Sequence, residues 1–144
     1  MFFRHAILSL AGLVLLAGCA TRYQDGNNLL TGWTGGYWED SGPGELVKVG
    51  FSGNSNITTE TVSAYLLYRC AEVAKRANKP YFALYRSLPA AVQDVRSPDQ
   101  EIDVYMGKPD SYVYILYFDQ AEEGLLETSE VLARLESQVK GAAL

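Results

Sequence analysis

The chain has 144 residues and a net charge of −5, with seventeen Asp and Glu against twelve Lys and Arg. This length is typical of one globular domain with one hydrophobic core. Nucleic acid is excluded as an expected partner, because its binding needs clusters of Lys and Arg that neutralise phosphates, and the sequence has none. The acidic balance also argues against a polybasic patch that would hold the domain on an anionic membrane surface.

The N-terminal segment has the pattern of a signal peptide. Arg4 is followed by an apolar run from Ala6 through Leu16, which is the order of charged head and hydrophobic region that such peptides have. At roughly a dozen residues and about 1.5 Å rise each, a helix of this run is too short for a hydrocarbon core of about 30 Å. We therefore expect residues 1–18 to be cleaved off as a lipoprotein signal peptide.

Leu16, Ala17, Gly18 and Cys19 resemble the bacterial lipobox, in which small residues precede a cysteine that is acylated before cleavage. The resemblance implies a mature chain that begins at a lipid-modified (palmitate-bearing) Cys19, with membrane lipid as its partner there. Several acyl chains anchor a protein stably, whereas a single chain is marginal. Ala20 follows the cysteine, as in outer-membrane sorting signals, so the expected location is the cell envelope, facing the periplasm on the outer membrane. An ordinary secretory signal with a chance cysteine, or a cytosolic protein with an apolar N-terminus, stays open as the alternative.

The mature chain has little of the chemistry that enzymes use. The one histidine, His5, lies in the signal peptide, so histidine-dependent catalysis and histidine zinc sites are excluded. We predict no enzyme, no catalytic residue and no cofactor. No metal site is predicted either, because the acidic run Asp99–Asp103 lacks the glycine and the flanking helices of a calcium-binding loop. With Cys19 acylated, Cys70 has no disulfide partner, and its place on an apolar helical stripe predicts a buried thiol.

The first part of the mature chain differs in composition from the rest. Residues 19–35 are polar and rich in Gly, Asn and Thr, which predicts a flexible tether ahead of a domain at residues 36–144. Trp33, Tyr37 and Trp38 stand out at its end, because a linker has no need of three large rings. We expect these rings to dock on the domain or on a partner, and as candidate binding residues they would stack on sugar rings.

A strand, a helix and a second strand are predicted next. Alternating apolar residues indicate a strand over Leu46–Phe51. The helix begins after Thr58 or Thr59, either of which can cap it, and ends at Asn78 before a proline. Tyr81–Arg86 reads as the second strand. Two strands joined through one helix are by default parallel neighbours in a right-handed crossover.

The predicted fold class is α+β, a single domain with a mixed sheet of about four strands in the order β-α-β-β-β-α and helices on one face. The elements predicted in the C-terminal half are a loop at Leu88–Gln100 with a short helical turn at Ala90–Val95, strands at Ile102–Met106 and Tyr112–Phe118 joined by a hairpin connection at Gly107–Asp110, and a closing helix at Ser129–Lys140.

The strand Tyr112–Phe118 is apolar on both of its sides, whereas helices in a two-layer fold cover one face only. Either the segment Trp33–Trp38 shields the second face, or that face is a docking surface. The leading hypothesis is a non-enzymatic lipoprotein that interacts with another envelope protein. The alternative is a module that binds a small ligand or a cell-wall glycan.

The segment Gly36–Phe82 resembles a family of small uncharacterised proteobacterial lipoproteins. These proteins have a lipobox, a Gly-Tyr pair, and a strand that ends in Gly-Asn before a Tyr-Leu-Leu-Tyr-Arg helix, matched here by Gly36–Tyr37, Gly53–Asn54 and Tyr65–Arg69. The C-terminal half is less similar. The resemblance implies lipid anchoring and a domain that begins near Gly36, and it implies no mechanism.

Overall fold

A computed structural model describes residues 19–27, 34–100 and 102–141. The predicted signal peptide at residues 1–18 and the candidate residue Trp33 lie outside the described residues. The described residues form an α+β single domain, as predicted, with six strands and three helices: β1 Gly36–Ser41, β2 Val47–Ser52, α1 Thr59–Arg76, β3 Tyr81–Tyr85, α2 Leu88–Val92, β4 Asp103–Tyr105, β5 Lys108–Phe118, β6 Leu126–Glu127 and α3 Thr128–Gly141.

The sheet is antiparallel at each of its pairings, in the order β1-β2-β5-β3-β6, with β4 on the start of β5. The predicted mixed sheet was therefore wrong. Strands β2 and β3 run in the same direction, but β5 lies between them and is antiparallel to both. Our prediction took strands consecutive in the chain as neighbours, whereas β5 is apolar on both sides and is buried best at the centre.

The predicted four strands and their order also differ from the structure. Strand β1 was predicted only as a docked aromatic segment, and β6 has two residues, too few for a periodic pattern. Strand β5 begins at Lys108 instead of Tyr112 because the hairpin turn is tight. Its central residues Met106 and Gly107 have φ of 50° and 75°, which is the requirement of a two-residue type I′ turn.

Helix α1 packs across one face of the sheet, and α3 lies beside it. Of the two predicted caps the structure uses Thr58, whose side chain accepts a hydrogen bond from the backbone N–H of Thr61. Asn78, with φ of 55°, ends the helix in the left-handed conformation. The side chains of α1 and α3 that enter the core are Val62, Tyr65, Leu66, Tyr68, Cys70, Val73, Val131 and Val139.

The first described residues are docked on the domain, whereas the sequence predicted a flexible tether as far as residue 35. Thr21 is 4% exposed, and its hydroxyl donates to the carbonyl of Thr34 at 2.7 Å and accepts from the backbone N–H of Asn54 at 2.8 Å. The side-chain amide of Asn54 donates to the carbonyl of Cys19 at 2.8 Å. The domain therefore holds the chain from its predicted point of acylation.

Tyr23 fixes the same segment to the helical face. Its ring centroid lies 4.9 Å from that of Tyr37 and 5.5 Å from those of Tyr65 and Tyr68. Its hydroxyl donates to Glu72, and burial followed by this carboxylate raises its pKa far above the usual range. Polar composition did not reveal this docking, because it depends on one aromatic ring and on hydrogen bonds to residues distant in the chain.

Across residues 19–27, 34–100 and 102–141, no helix combines the length and the apolar character that crossing a membrane requires.

Candidate functional site

The predicted set of binding rings is divided between the two faces of the sheet. Successive residues of a strand point to opposite faces, so Tyr37 and Trp38 in β1 are separated. Tyr37 lies on the helical side, with the guanidinium carbon of Arg69 3.8 Å from its ring centroid. Trp38 lies on the face without α1, opposite Gly50 of β2. These two rings therefore do not form one platform.

Trp38 instead joins three side chains from β2 and β5. We call this set the open-face cluster; its members are Trp38, Lys48, Tyr112 and Tyr114. The Trp38 and Tyr112 ring centroids are 6.4 Å apart at 42°, and those of Tyr112 and Tyr114 are 6.0 Å apart at 90°. Tyr112 is 42% exposed. The β1-β2-β5 register creates this cluster, because it aligns Trp38 with Gly50 and Gly50 with Tyr112.

The ammonium of Lys48 lies among the rings. Its Nζ is 4.0 Å from the centroid of Tyr112, 5.3 Å from that of Trp38 and 6.0 Å from that of Tyr114, all within the range of cation–π attraction. Asp40 is its directly opposed cross-strand neighbour, but within the described part of the chain Lys48 forms no ion pair with it or with another carboxylate. The cluster therefore presents aromatic surface together with an ammonium group that makes no ion pair among the described residues.

Gly50 makes room for the Trp38 ring. A Cβ at this position would lie 2.1 Å from both Cε2 and Cζ2 of the indole, a distance that atoms cannot share. Glycine inside a strand often marks such a close approach. The sequence therefore carried a signal for this part of the site, in the glycine between Val49 and Phe51.

We expect Gly50→Ala to destabilise the domain by about 1–3 kcal/mol, since the added methyl forces the indole of Trp38 off the sheet. The measurement is the free energy of unfolding in urea. In a Trp38→Ala background the same change should cost much less, because the overlapping ring is gone. Equal costs in the two backgrounds would show that the indole does not rest on Gly50.

The other half of this face is covered by Arg96 and the side chains that pair with it. The guanidinium carbon of Arg96 lies 4.9 Å from the ring centroid of Phe118, and Arg96 pairs with Asp94 and Glu122 at 2.9 Å each. The hydroxyl of Tyr85 donates to Asp94 at 2.6 Å, and burial with this contact raises the pKa of Tyr85 to about 12. Among the described residues, the rings of Trp38, Tyr112 and Tyr114 are therefore on the half of this face that Arg96 and its partners do not cover.

A charged network lies on the opposite, helical side of β1. Arg69 contacts Glu39 at 2.7 Å through Nε and Glu72 at 2.9 Å through Nη1, and Arg76 pairs with the other oxygen of Glu39. Arg69 and Glu72 are three residues apart on one helix, a spacing that by itself favours a surface ion pair. Glu39 was missed because β1 was not predicted as a strand. This network fixes β1 to α1, and its charges are satisfied within the domain.

The two cysteines have opposite environments, exposed for Cys19 and fully buried for Cys70. Burial raises the pKa of the Cys70 thiol well above its usual range. Exposure leaves Cys19 accessible for modification, but the lipidation itself stays a prediction. Within the described ranges no group of three or more His, Cys, Asp or Glu side chains is placed to hold a metal ion.

We expect Cys70 in the folded protein to resist a thiol reagent such as iodoacetamide and to react once urea unfolds the domain. Both the raised pKa of its thiol and the absence of solvent contact slow the reaction. A cysteine introduced by Met106→Cys, at a side chain that is 82% exposed, is the control and should react at once. Equal rates at the two positions would contradict the buried location.

A shallow groove between the end of α1 and α3 carries both signs of charge, from Lys75, Arg76, Lys79, Glu127, Glu136 and Lys140. Several of these charges are already paired, as Lys79 is with Asp119 and Lys140 with Glu136. The groove therefore has no strong attraction for an anion or a cation, and the open-face cluster is the better candidate.

Comparison of the chain with known protein families, with curated proteins and with solved structures gives no match. The resemblance to small proteobacterial lipoproteins stays a prediction.

Proposed function

We propose that the chain is a non-enzymatic, lipid-anchored lipoprotein of the cell envelope that binds another envelope protein through the open-face cluster. The observation that carries the proposal is the position of the Lys48 ammonium among the rings of Trp38, Tyr112 and Tyr114, where it makes no ion pair with a described residue. Aromatic side chains dominate the energetics of protein interfaces. An acidic side chain flanked by apolar residues is the complementary partner, because it gains both a charge contact and ring contacts.

Anchoring at Cys19 is supported by the lipobox residues ahead of it and by its exposure at the domain surface. It places the domain on the periplasmic side of a membrane, with the outer membrane as the proposed location. A partner on the same membrane would meet the cluster at a raised effective concentration, so an interface of modest area suffices.

The test uses a photoreactive amino acid at Tyr112 of the full-length chain in its native cells. We expect one specific envelope protein to be crosslinked, and we expect Lys48→Glu to abolish that crosslink. Changing an acidic residue of the captured protein to lysine should then restore binding to the Lys48→Glu variant. The same photoreactive group at Arg134, an exposed position on α3, is the matched control.

An absence of any Lys48-dependent product, or equal yields from Arg134 and Tyr112, would contradict the proposed interface. Val92→Ala should leave the crosslink unchanged, because that valine is 87% exposed on α2 and lies outside the cluster. This variant therefore separates the loss of an exposed apolar side chain in general from the loss of the open-face cluster.

The second candidate function is binding of a cell-wall glycan or small ligand, favoured by Trp38 resting on Gly50 beside the exposed ring of Tyr112. Two rings offer stacking surface for sugar, although the 42° angle between them is less suited to one flat sugar than to a protein. If purified peptidoglycan co-sediments with the protein, and Trp38→Ala prevents this while Lys48→Glu does not, the glycan function replaces the protein interface.

A further inference from the structure

The turn between β4 and β5 exposes three consecutive large apolar side chains. Val104, Tyr105 and Met106 are 56%, 77% and 82% exposed, and they form the hairpin tip together with the turn glycine. Apolar side chains concentrated at the end of a projecting hairpin mark an interaction site more often than a random surface does. Nothing within the described residues covers this tip.

The hairpin tip lies at the same end of the sheet as Cys19. The carbonyl of Cys19 accepts from the side chain of Asn54 at 2.8 Å, and the N–H of the neighbouring Gly53 donates to the carbonyl of Pro109 at 2.8 Å. Pro109 is in turn the cross-strand partner of Val104. Two adjacent residues therefore connect the predicted point of acylation to the base of the hairpin.

The distance from this base to the turn is short. Met106 lies two residues beyond Val104, the cross-strand partner of Pro109, which is about 7 Å at roughly 3.3 Å per residue. That length is comparable to the ~5–10 Å by which interfacial apolar side chains enter a bilayer. No free linker intervenes, because Thr21 is hydrogen-bonded to the domain two residues after Cys19. Acyl chains on Cys19 would thus bring this end of the sheet directly to the membrane.

We propose that the hairpin tip, Val104–Met106, is a second membrane contact that enters the interface of the bilayer holding the acyl chains of Cys19. The proposal rests on the lipid anchoring given under Proposed function. Tyrosine is suited to the headgroup level of a bilayer, with valine and methionine beside it at the acyl boundary. Exposed Lys108, next to the turn, is placed to meet a lipid phosphate.

The three side chains of the hairpin tip bind a bilayer only weakly by themselves. Their main effect is therefore to orient the domain on the membrane. With Cys19 and the hairpin tip both at the surface, the strands stand away from the membrane and the domain cannot rotate freely about its anchor. The open-face cluster then faces sideways along the membrane, toward a partner anchored in the same layer.

The experiment uses the lipidated protein with Met106→Cys labelled by an environment-sensitive fluorophore, in vesicles of phosphatidylethanolamine and phosphatidylglycerol. We expect a blue-shifted emission and quenching by nitroxide lipids that is several-fold stronger than at Glu45→Cys. Glu45 is exposed in the β1–β2 turn at the opposite end of the sheet, which makes it the matched control. Tyr105→Cys repeats the measurement one residue earlier, should the turn not tolerate the first label.

Flotation of the vesicles separates the two proposals. Protein that floats with the vesicles while both tip labels keep the emission of water and escape quenching would overturn the hairpin contact and leave the lipid anchor standing. Protein that does not float would overturn the anchoring, and the hairpin contact with it. Tip quenching in floating protein that is lost in the non-acylated Cys19→Ala variant is the result expected.

Discussion

Arg69→Met is expected to destabilise the domain by about 2 kcal/mol. The side chain of Arg69 is 15% exposed and lies between Glu39 and Glu72, which are 20% and 32% exposed. Removing this cation leaves Glu72 without its guanidinium partner and Glu39 with Arg76 alone, at a site with little water. Breaking a fully buried ion pair costs about 3–5 kcal/mol, and we reduce this because both carboxylates keep some solvent contact. Chemical unfolding followed by circular dichroism measures the change.

Arg76→Met is the matched control, since Arg76 pairs with the same Glu39 but is 60% exposed. We expect its cost to stay below about 0.5 kcal/mol. Combining Arg69→Met with Glu39→Gln and Glu72→Gln should recover part of the lost stability, because no charge is then stranded. Similar losses from Arg69→Met and Arg76→Met would show that the network does not fix β1 to α1.

Tyr23→Ala is expected to cost about 2–3 kcal/mol, because the ring packs on three other tyrosines and the hydroxyl donates to Glu72. The chain ahead of β1 should lose its docked position at the same time. Hydrogen exchange should therefore become faster at residues 21–27 and remain slow in α1. Unfolding measurements give the stability change, and exchange locates it.

Two control variants show which contacts of Tyr23 account for the loss of stability. Tyr23→Phe keeps the ring contacts and loses only the hydrogen bond, so its cost should be about 1 kcal/mol. Tyr105→Ala removes an exposed ring and should change the stability by less than about 0.5 kcal/mol. If Tyr23→Ala were as mild as Tyr105→Ala, residues 19–27 would be a free tether after all, and the hairpin tip would lose its fixed distance from Cys19.

The helix α1 and the strand β2 were predictable because their signals are local. The helix begins after a capping threonine with an acid in its first turn, and it ends before the sequence Asn-Lys-Pro. The strand is indicated by the alternation of Val47, Val49 and Phe51. The topology was not predictable in this way. Placing β5 between β2 and β3 depends on pairing residues that are 29 to 68 positions apart in the chain, and consecutive order gives the wrong neighbour.

The candidate site was likewise predictable only where the signal lies in neighbouring residues, and not where it depends on strand pairing. The sequence drew attention to Trp38 and to the doubly apolar strand that contains Tyr112. It could not place Tyr37 on the opposite face, because β1 was taken for an irregular segment and alternation applies only to a strand. Lys48 was missed because its position among the rings follows from the sheet register.

The most direct test of the account is the intact mass of the protein purified from the envelope, combined with fragmentation of its N-terminal peptide. We predict a chain that begins at Cys19 and carries a diacylglyceryl group on Sγ. Inhibiting the lipoprotein signal peptidase should make the uncleaved precursor accumulate. A mature chain that begins at another residue, or one that carries a free thiol at Cys19, would contradict the proposed anchor.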